Sequence, residues 1–256
     1  MRFVRDHWQL LALTGLVFAL WNTPLVFPLK ILVVFMHEVS HGLAALLTGG
    51  RIDVISLSST QGGHAITRGG NVFLILSAGY VGSLLIGGML FVVAVRTQAD
   101  RVVLALCGAL TLLVAALYIR DTFALLFCIG AGAGMLGTAR FLGRSINDLV
   151  LRVIGLTSLI YVPYDIFSDT IARSGQPSDA YMLAERFGGP TVFWGGLWLA
   201  ISLAAIGCAS ATGSGKAATS VSRERCVSVV WRQANQSVQA RHPARNQGRL
   251  RPPASR

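Results

Sequence analysis

Seven apolar segments divide this chain, and each approaches or exceeds the roughly 20 residues that a helix needs to cross a lipid bilayer. The chain is 53% hydrophobic and 13% charged, and the charged fraction is about half of the roughly 25% found in soluble domains. We therefore predict an all-α polytopic membrane protein with about six to seven transmembrane helices. The predicted segments are 9–28, which Asn22 and Pro24 interrupt, 29–48, 72–95, 101–119, 122–139, 148–168 and 191–209.

The last part of the chain differs in composition. Residues 210–256 hold nine of the 22 Lys and Arg residues and one acidic residue, Glu224, in a context rich in Ser, Gln, Arg and Pro. Such a segment buries too little apolar surface to fold alone. We therefore predict a membrane domain over 1–209 and a basic, disordered tail over 210–256. Since Trp231 is the one aromatic residue in the tail, a solvated tail near anionic headgroups is favoured over nucleic-acid binding.

Two stretches between the apolar segments have a different pattern. Residues 51–70, "RIDVISLSSTQGGHAITRGG", alternate apolar and polar residues around "TQGG", and this predicts a short β-hairpin. Residues 169–190 form a polar stretch in which "SDAYMLAE" has the pattern of a short capped helix. The glycine-rich stretches "SAGYVGSLLIGG" and "CIGAGAGMLG" are typical of helices that approach one another closely.

The second apolar segment contains "MHEVSHG", residues 36–42. Ionisable side chains are costly at bilayer depth and are rare there without a function. His37 and His41 are four residues apart, so a helix places them on one face, where both imidazoles can bind one zinc ion. Glu38 lies beside them and can act as general base toward the attacking water. This is the HExxH pattern of metal-assisted hydrolysis; two histidines hydrogen-bonded inside a helix bundle are the alternative.

A catalytic zinc ion needs a third protein ligand. Asp165 and Asp169 lie at the end of an apolar segment and share a helical face if the helix continues. A solvated helix end is the other interpretation of both carboxylates. His64 follows two glycines in the predicted hairpin. It is either a substrate-binding residue that polarises a carbonyl group or an ordinary histidine of a surface loop.

The segments "HEVSHGLAALLTGGRIDVISLS" and "LSAGYVGSLLIGGML" resemble the site-2 protease family of intramembrane zinc metallopeptidases. The resemblance covers about residues 30–205 and is closest to the compact branch without a PDZ domain. In that branch a "YDI..DT" stretch and a nearby "SDA" recur, and they match 164–166, 169–170 and 178–180 here.

The resemblance implies a zinc site within the bilayer and hydrolysis of membrane-spanning protein substrates, often with release of a regulatory factor. His37 and His41 would be zinc ligands, and Glu38 the catalytic acid and base. The "LDG" that surrounds the third ligand in better-known members is missing here. We predict Asp165 as the third ligand and keep Asp169 as its rival.

The expected location is integral and multi-pass, in the cell membrane if the source is bacterial, with the lipid bilayer and a membrane-spanning substrate as partners. A non-catalytic site-2-protease-like scaffold or a metal-binding membrane protein is the alternative. Intact Glu38 argues against a pseudoprotease. The histidines that lie within the apolar segments are confined to one of them, 29–48, and this argues against a metal transporter. A soluble zinc domain on a membrane anchor is disfavoured because the flanks "LKILVVFM" and "GLAALL" are apolar.

Overall fold

The computed structural model describes residues 12–207. Residues 12–19 are helical, and turns follow up to residue 26. The elements that come next are α1 (Phe27–Leu47), β1 (Arg51–Leu57), β2 (Gly63–Arg68), α2 (Val72–Arg96), α3 (Asp100–Tyr118), α4 (Thr122–Phe141), α5 (Arg144–Ile166), a π-helical turn (Phe167–Ala172), α6 (Asp179–Phe187) and α7 (Thr191–Gly207).

Five helices in the described part of the chain are long and apolar enough to cross a membrane. They are α1 to α4, and α5 together with the π-helical turn, whereas α7 is apolar but shorter. The prediction of a helical, multi-pass membrane protein with a β-hairpin after α1 is confirmed. The described part of the predicted segment 9–28 is interrupted by turns around Asn22 and Pro24. The predicted tail over 210–256 lies outside the described residues.

Polar side chains at the start of two membrane-spanning helices, α2 and α4, satisfy backbone groups that have no partner inside the helix. The Asn71 side chain accepts a hydrogen bond from the Leu74 amide at the start of α2. Asp121 accepts one from the Ala124 amide at the start of α4. After the C-terminal end of α1, Gly49 adopts a φ of 83°. Glycine commonly follows a helix in this left-handed conformation. The helix boundaries are therefore encoded locally.

Helices α1 and α5 are the most buried of the membrane spans, while α3 and α4 expose most of their surface. Glycines let the helices approach closely. A Cβ built on Gly87 of α2 would lie 2.2 Å from the Ser158 Cβ of α5, and one built on Gly108 of α3 would lie 2.8 Å from the Gly132 oxygen of α4. The prediction of close helix packing is confirmed for Gly87 in the first glycine-rich stretch and for Gly132 in the second, whereas a Cβ at Gly130, Gly134 or Gly137 would meet no atom within 4 Å.

The two hairpin strands pair in antiparallel fashion, with Ser56 opposite His64 and Leu57 opposite Gly63. Strand β1 lies against α1 because Gly42 has no side chain, and a Cβ there would be 2.6 Å from the Ile52 Cδ1. On its other side β1 forms a bridge between Ile55 and Ile119. The hairpin is thereby fixed over the end of α1 that carries the histidines.

Candidate metal centre

His37 and His41 lie one turn apart on α1, and their ring centroids are 4.7 Å apart. His41 and the neighbouring Glu38 are buried, with 6% and 5% of their surface exposed. A helix advances by about 1.5 Å per residue, so His41 lies about 9 Å along α1 from its end at Leu47. The two imidazoles therefore sit within a membrane span, near the end that the hairpin covers.

A carboxylate from a distant part of the chain completes this cluster. Oδ2 of Asp179 lies 3.0 Å from Nε2 of His37 and 3.2 Å from Nε2 of His41. Among the described residues, these three form the one group whose ligand atoms all lie within 4.8 Å of one another. Two imidazoles and one carboxylate are a donor set suited to a catalytic zinc ion, which leaves its fourth position open.

Asp179 is the first residue of α6, a short helix outside the membrane spans. The Ser178 hydroxyl accepts a hydrogen bond from the Tyr181 amide and fixes the start of this helix. Ala180 and Leu183 are fully buried and anchor α6 to the bundle. Burial alone would raise the pKa of the Asp179 carboxyl, but the charge of His41 and hydrogen bonds from both histidines outweigh burial and hold that pKa below its usual range. The carboxylate is therefore kept in its ligating, ionised form.

The tautomer of His41 follows from its second nitrogen. Nδ1 of His41 lies 2.6 Å from the carbonyl oxygen of Ile75 on α2. A carbonyl oxygen only accepts hydrogen bonds, so Nδ1 must carry the proton and donate it. A metal ion would bind the lone pair of Nε2 in place of the proton that Nε2 donates to Asp179 when no metal ion is bound, and the Ile75 carbonyl orients the ring as partners of metal-bound histidines do.

Space for an ion is left by Gly79 of α2. A Cβ built on this glycine would lie 2.4 Å from Nε2 of His37 and 2.5 Å from Nε2 of His41. Both contacts are far shorter than any ordinary van der Waals contact. The missing side chain therefore leaves a small volume between the ligand atoms, and the residues present fit a metal ion there.

Glu38 faces a cavity of about 860 Å³ that the hairpin and the segment leading to α6 enclose. It is not part of the three-residue ligand group. Gly63, at the start of β2, approaches it so closely that an added Cβ would lie 2.7 Å from the Glu38 Oε1. Glu38 thus follows His37 on α1, lies against the start of β2, and faces the same cavity as the candidate ligands.

The other predicted site residues line the same cavity without joining the ligand group. Asp165 and Asp169 both line it, but the Asp169 carboxylate accepts a hydrogen bond from the Tyr80 hydroxyl and pairs with Arg173. His64 is an exposed residue of β2 that lines the cavity. The three-residue group contains Asp179 and neither Asp165 nor Asp169.

Sequence reasoning missed Asp179 although it had singled out the "SDA" stretch. The pattern of "SDAYMLAE" predicts a short capped helix, and the structure forms that helix with Asp179 as its first residue. One signal in the sequence could have identified Asp179. Its carboxylate belongs to the "SDA" motif shared with the site-2 protease branch, in the polar stretch 169–190.

Fold and site together define a multi-pass membrane protein with a candidate metal centre inside the bundle. The family model described as "Peptidase M50B-like" matches residues 10–209, and the chain belongs to this family. The match confirms the resemblance to site-2 proteases, a family of integral membrane metallopeptidases. No curated protein and no solved structure matches the chain.

Proposed function

We propose that this protein is an intramembrane zinc metalloprotease that hydrolyses peptide bonds of membrane-spanning protein substrates. The observation that carries the proposal is the convergence of His37, His41 and Asp179 near a buried glutamate of the same helix, at one cavity beside a helix long and apolar enough to span a membrane. Membership of a metallopeptidase family supports the same function.

His37, His41 and Asp179 would hold the zinc ion. A zinc ion in such a site supplies Lewis-acid activation of water and of the scissile carbonyl group. In this proposal Asp179 takes the role that the sequence assigned to Asp165 or Asp169. Its Oδ2 lies within hydrogen-bond distance of both histidine nitrogens, whereas the Asp169 oxygens are engaged by Tyr80 and Arg173.

Glu38 would act as general base and general acid. It takes a proton from the attacking water and then delivers that proton to the amine that leaves the cleaved bond. The geometry supports this role because Glu38 is held beneath Gly63 and beside the ligand atoms.

The hairpin would bind the substrate as an added strand. Strand β2 pairs with β1 on one side, and residues 63–67 of β2 line the cavity. A substrate helix must unwind before its carbonyl groups are accessible, and an extended segment can then hydrogen-bond to an open strand edge. His64 lies on this strand, where it can contact a substrate carbonyl group.

The decisive experiment compares wild type with Glu38→Gln in proteoliposomes that contain a panel of fluorogenic transmembrane peptides. We expect Glu38→Gln to abolish cleavage while the zinc content stays at the wild-type level. Glu185→Gln is the matched control, because Glu185 is exposed on α6 and does not line the cavity.

Cleavage retained by Glu38→Gln would refute the mechanism. Zinc bound by a wild type that cleaves no peptide of the panel would favour a non-catalytic, metal-binding scaffold.

A further inference from the structure

The two candidate histidine ligands are oriented in different ways. Nδ1 of His41 donates to the Ile75 carbonyl, while the ring of His37 packs against Tyr80 of α2, with centroids 4.6 Å apart and planes at 81°. We propose that Tyr80 is a positioning residue that holds the His37 imidazole toward the metal centre. This inference rests on the zinc site of the proposed function.

Tyr80 is itself held in place at both ends. It is 3% exposed, and its ring packs against Trp198 of α7 at a centroid distance of 5.2 Å. Its hydroxyl donates a hydrogen bond to Oδ2 of Asp169 at 3.1 Å. The edge-to-face contact can orient the His37 ring only if the Tyr80 ring is itself held in place. Because the hydrogen bond to Asp169 holds Tyr80, it also limits how far the His37 ring can rotate.

Asp169 connects this contact to the end of α5. It lies on the π-helical turn, and its second oxygen pairs with Arg173. Both carboxylate oxygens are therefore engaged by protein groups. A series of side-chain contacts runs from Arg173 through Asp169 and Tyr80 to His37. It links the start of the 173–178 segment, which leads to Asp179, with the histidine that Asp179 contacts.

This arrangement gives Asp169 a defined function without metal ligation. Asp169, on the π-helical turn, holds Tyr80 by a hydrogen bond, and Tyr80 packs against the His37 ring. Isolated π-helical turns occur often at functional sites, and here the turn presents Asp169 to α2. The carboxylate that the sequence offered as a rival ligand supports the metal centre through two intervening side chains.

The test measures zinc affinity by chelator competition and the absorption spectrum of the cobalt-substituted protein. Tyr80→Phe keeps the ring and removes the hydroxyl, and we expect zinc to bind about tenfold more weakly, as for other groups that orient metal ligands. Asp169→Ala should produce a similar loss. The double variant should be no worse than Asp169→Ala alone, because both substitutions remove the same hydrogen bond between Tyr80 and Asp169.

Two further variants separate positioning from general packing. Asp169→Asn keeps an oxygen that can accept from the Tyr80 hydroxyl, so we expect affinity close to that of wild type. Tyr118→Phe removes a tyrosine hydroxyl from α3, outside the cavity, and should leave affinity and spectrum unchanged. A positioning role also predicts an altered cobalt spectrum in Tyr80→Phe, since that spectrum reports ligand geometry.

Wild-type affinity and spectrum in both Tyr80→Phe and Asp169→Ala would overturn the inference. A lower unfolding temperature with unchanged affinity and spectrum would also overturn it, because the role would then be structural alone. A wild type that binds no zinc would instead refute the proposed function, and this inference with it.

Discussion

Oδ2 of Asp179 lies 3.0 Å from Nε2 of His37, although 142 residues of sequence separate the two. The contact joins a membrane-spanning helix to a nine-residue helix outside the spans. No local pattern encodes this pairing. It exists because α5, the π-helical turn and the segment after it bring the chain back to the histidines.

The first prediction concerns the carboxylate ligand. Asp179→Ala should lose its bound zinc because a three-ligand site becomes a two-ligand site. Asp165→Ala should keep zinc, since Asp165 lines the cavity outside the ligand group. Elemental analysis of the purified variants measures both. Zinc retained by Asp179→Ala and lost by Asp165→Ala would return the ligand role to Asp165.

The second prediction concerns Gly79. A methyl group in Gly79→Ala would lie within 2.5 Å of Nε2 of both histidines. It would occupy the space between the ligand atoms, so the loss of zinc affinity should exceed the roughly 100-fold upper range for indirect effects on metal ligands. Chelator competition measures the loss.

Gly88→Ala is the matched control on the same helix. Its new methyl group would lie 3.6 Å from the Leu159 Cδ2, which is ordinary van der Waals contact. We expect its zinc affinity to equal that of wild type. Equal affinities in Gly79→Ala and Gly88→Ala would show that the ion binds elsewhere.

The third prediction concerns the hairpin above the general base. Gly63→Ala would push the Glu38 carboxylate, because the new Cβ would lie 2.7 Å from Oε1 and 2.8 Å from Cγ. A displacement of about 1 Å in a catalytic group can lower turnover by about 100-fold, while zinc should remain bound. The kcat of peptide cleavage and the zinc content are measured together.

Gly62→Ala provides the neighbouring control, since a Cβ at Gly62 meets no atom within 4 Å. It should cleave at the wild-type rate. If Gly63→Ala did the same, the hairpin would not set the position of Glu38.

The fourth prediction concerns the packing of α2 against α5. Gly87→Ala would place a methyl group 2.2 Å from the Ser158 Cβ, in a contact where the Ser158 hydroxyl also donates to the Ser83 carbonyl. Overpacking of this kind costs about 1–3 kcal/mol. Thermal unfolding in detergent should show a lower Tm than for Gly88→Ala, and an identical Tm would contradict the close helix contact.

The sequence was sufficient where the determinants are local. Apolar segment lengths placed the boundaries of α2 and α4 at their starts, Val72 and Thr122, to the residue. The hairpin followed from alternation around "TQGG", and the histidine pair followed from a four-residue spacing that any helix converts into a shared face. These features need no knowledge of the rest of the chain.

The third carboxylate could not be predicted in the same way. Asp165, Asp169 and Asp179 are all acidic residues near the end of one apolar segment, and spacing alone does not rank them. The shared face predicted for Asp165 and Asp169 was conditional on an α-helix that continues through Asp169. A π-helical turn begins at Phe167 instead, so a face argument based on 3.6 residues per turn fails there. The segment after Arg173 then determines which carboxylate reaches the histidines.

The position of Asp179 on α6 has a consequence for biosynthesis. At about 5–20 residues per second, translation takes several seconds or more to proceed from the helix that carries His37 and His41 to the residue that completes the cluster. During that interval the nascent chain holds two imidazoles and a glutamate without their carboxylate. The cluster therefore stays incomplete until all five membrane-spanning helices of the described residues have been synthesised.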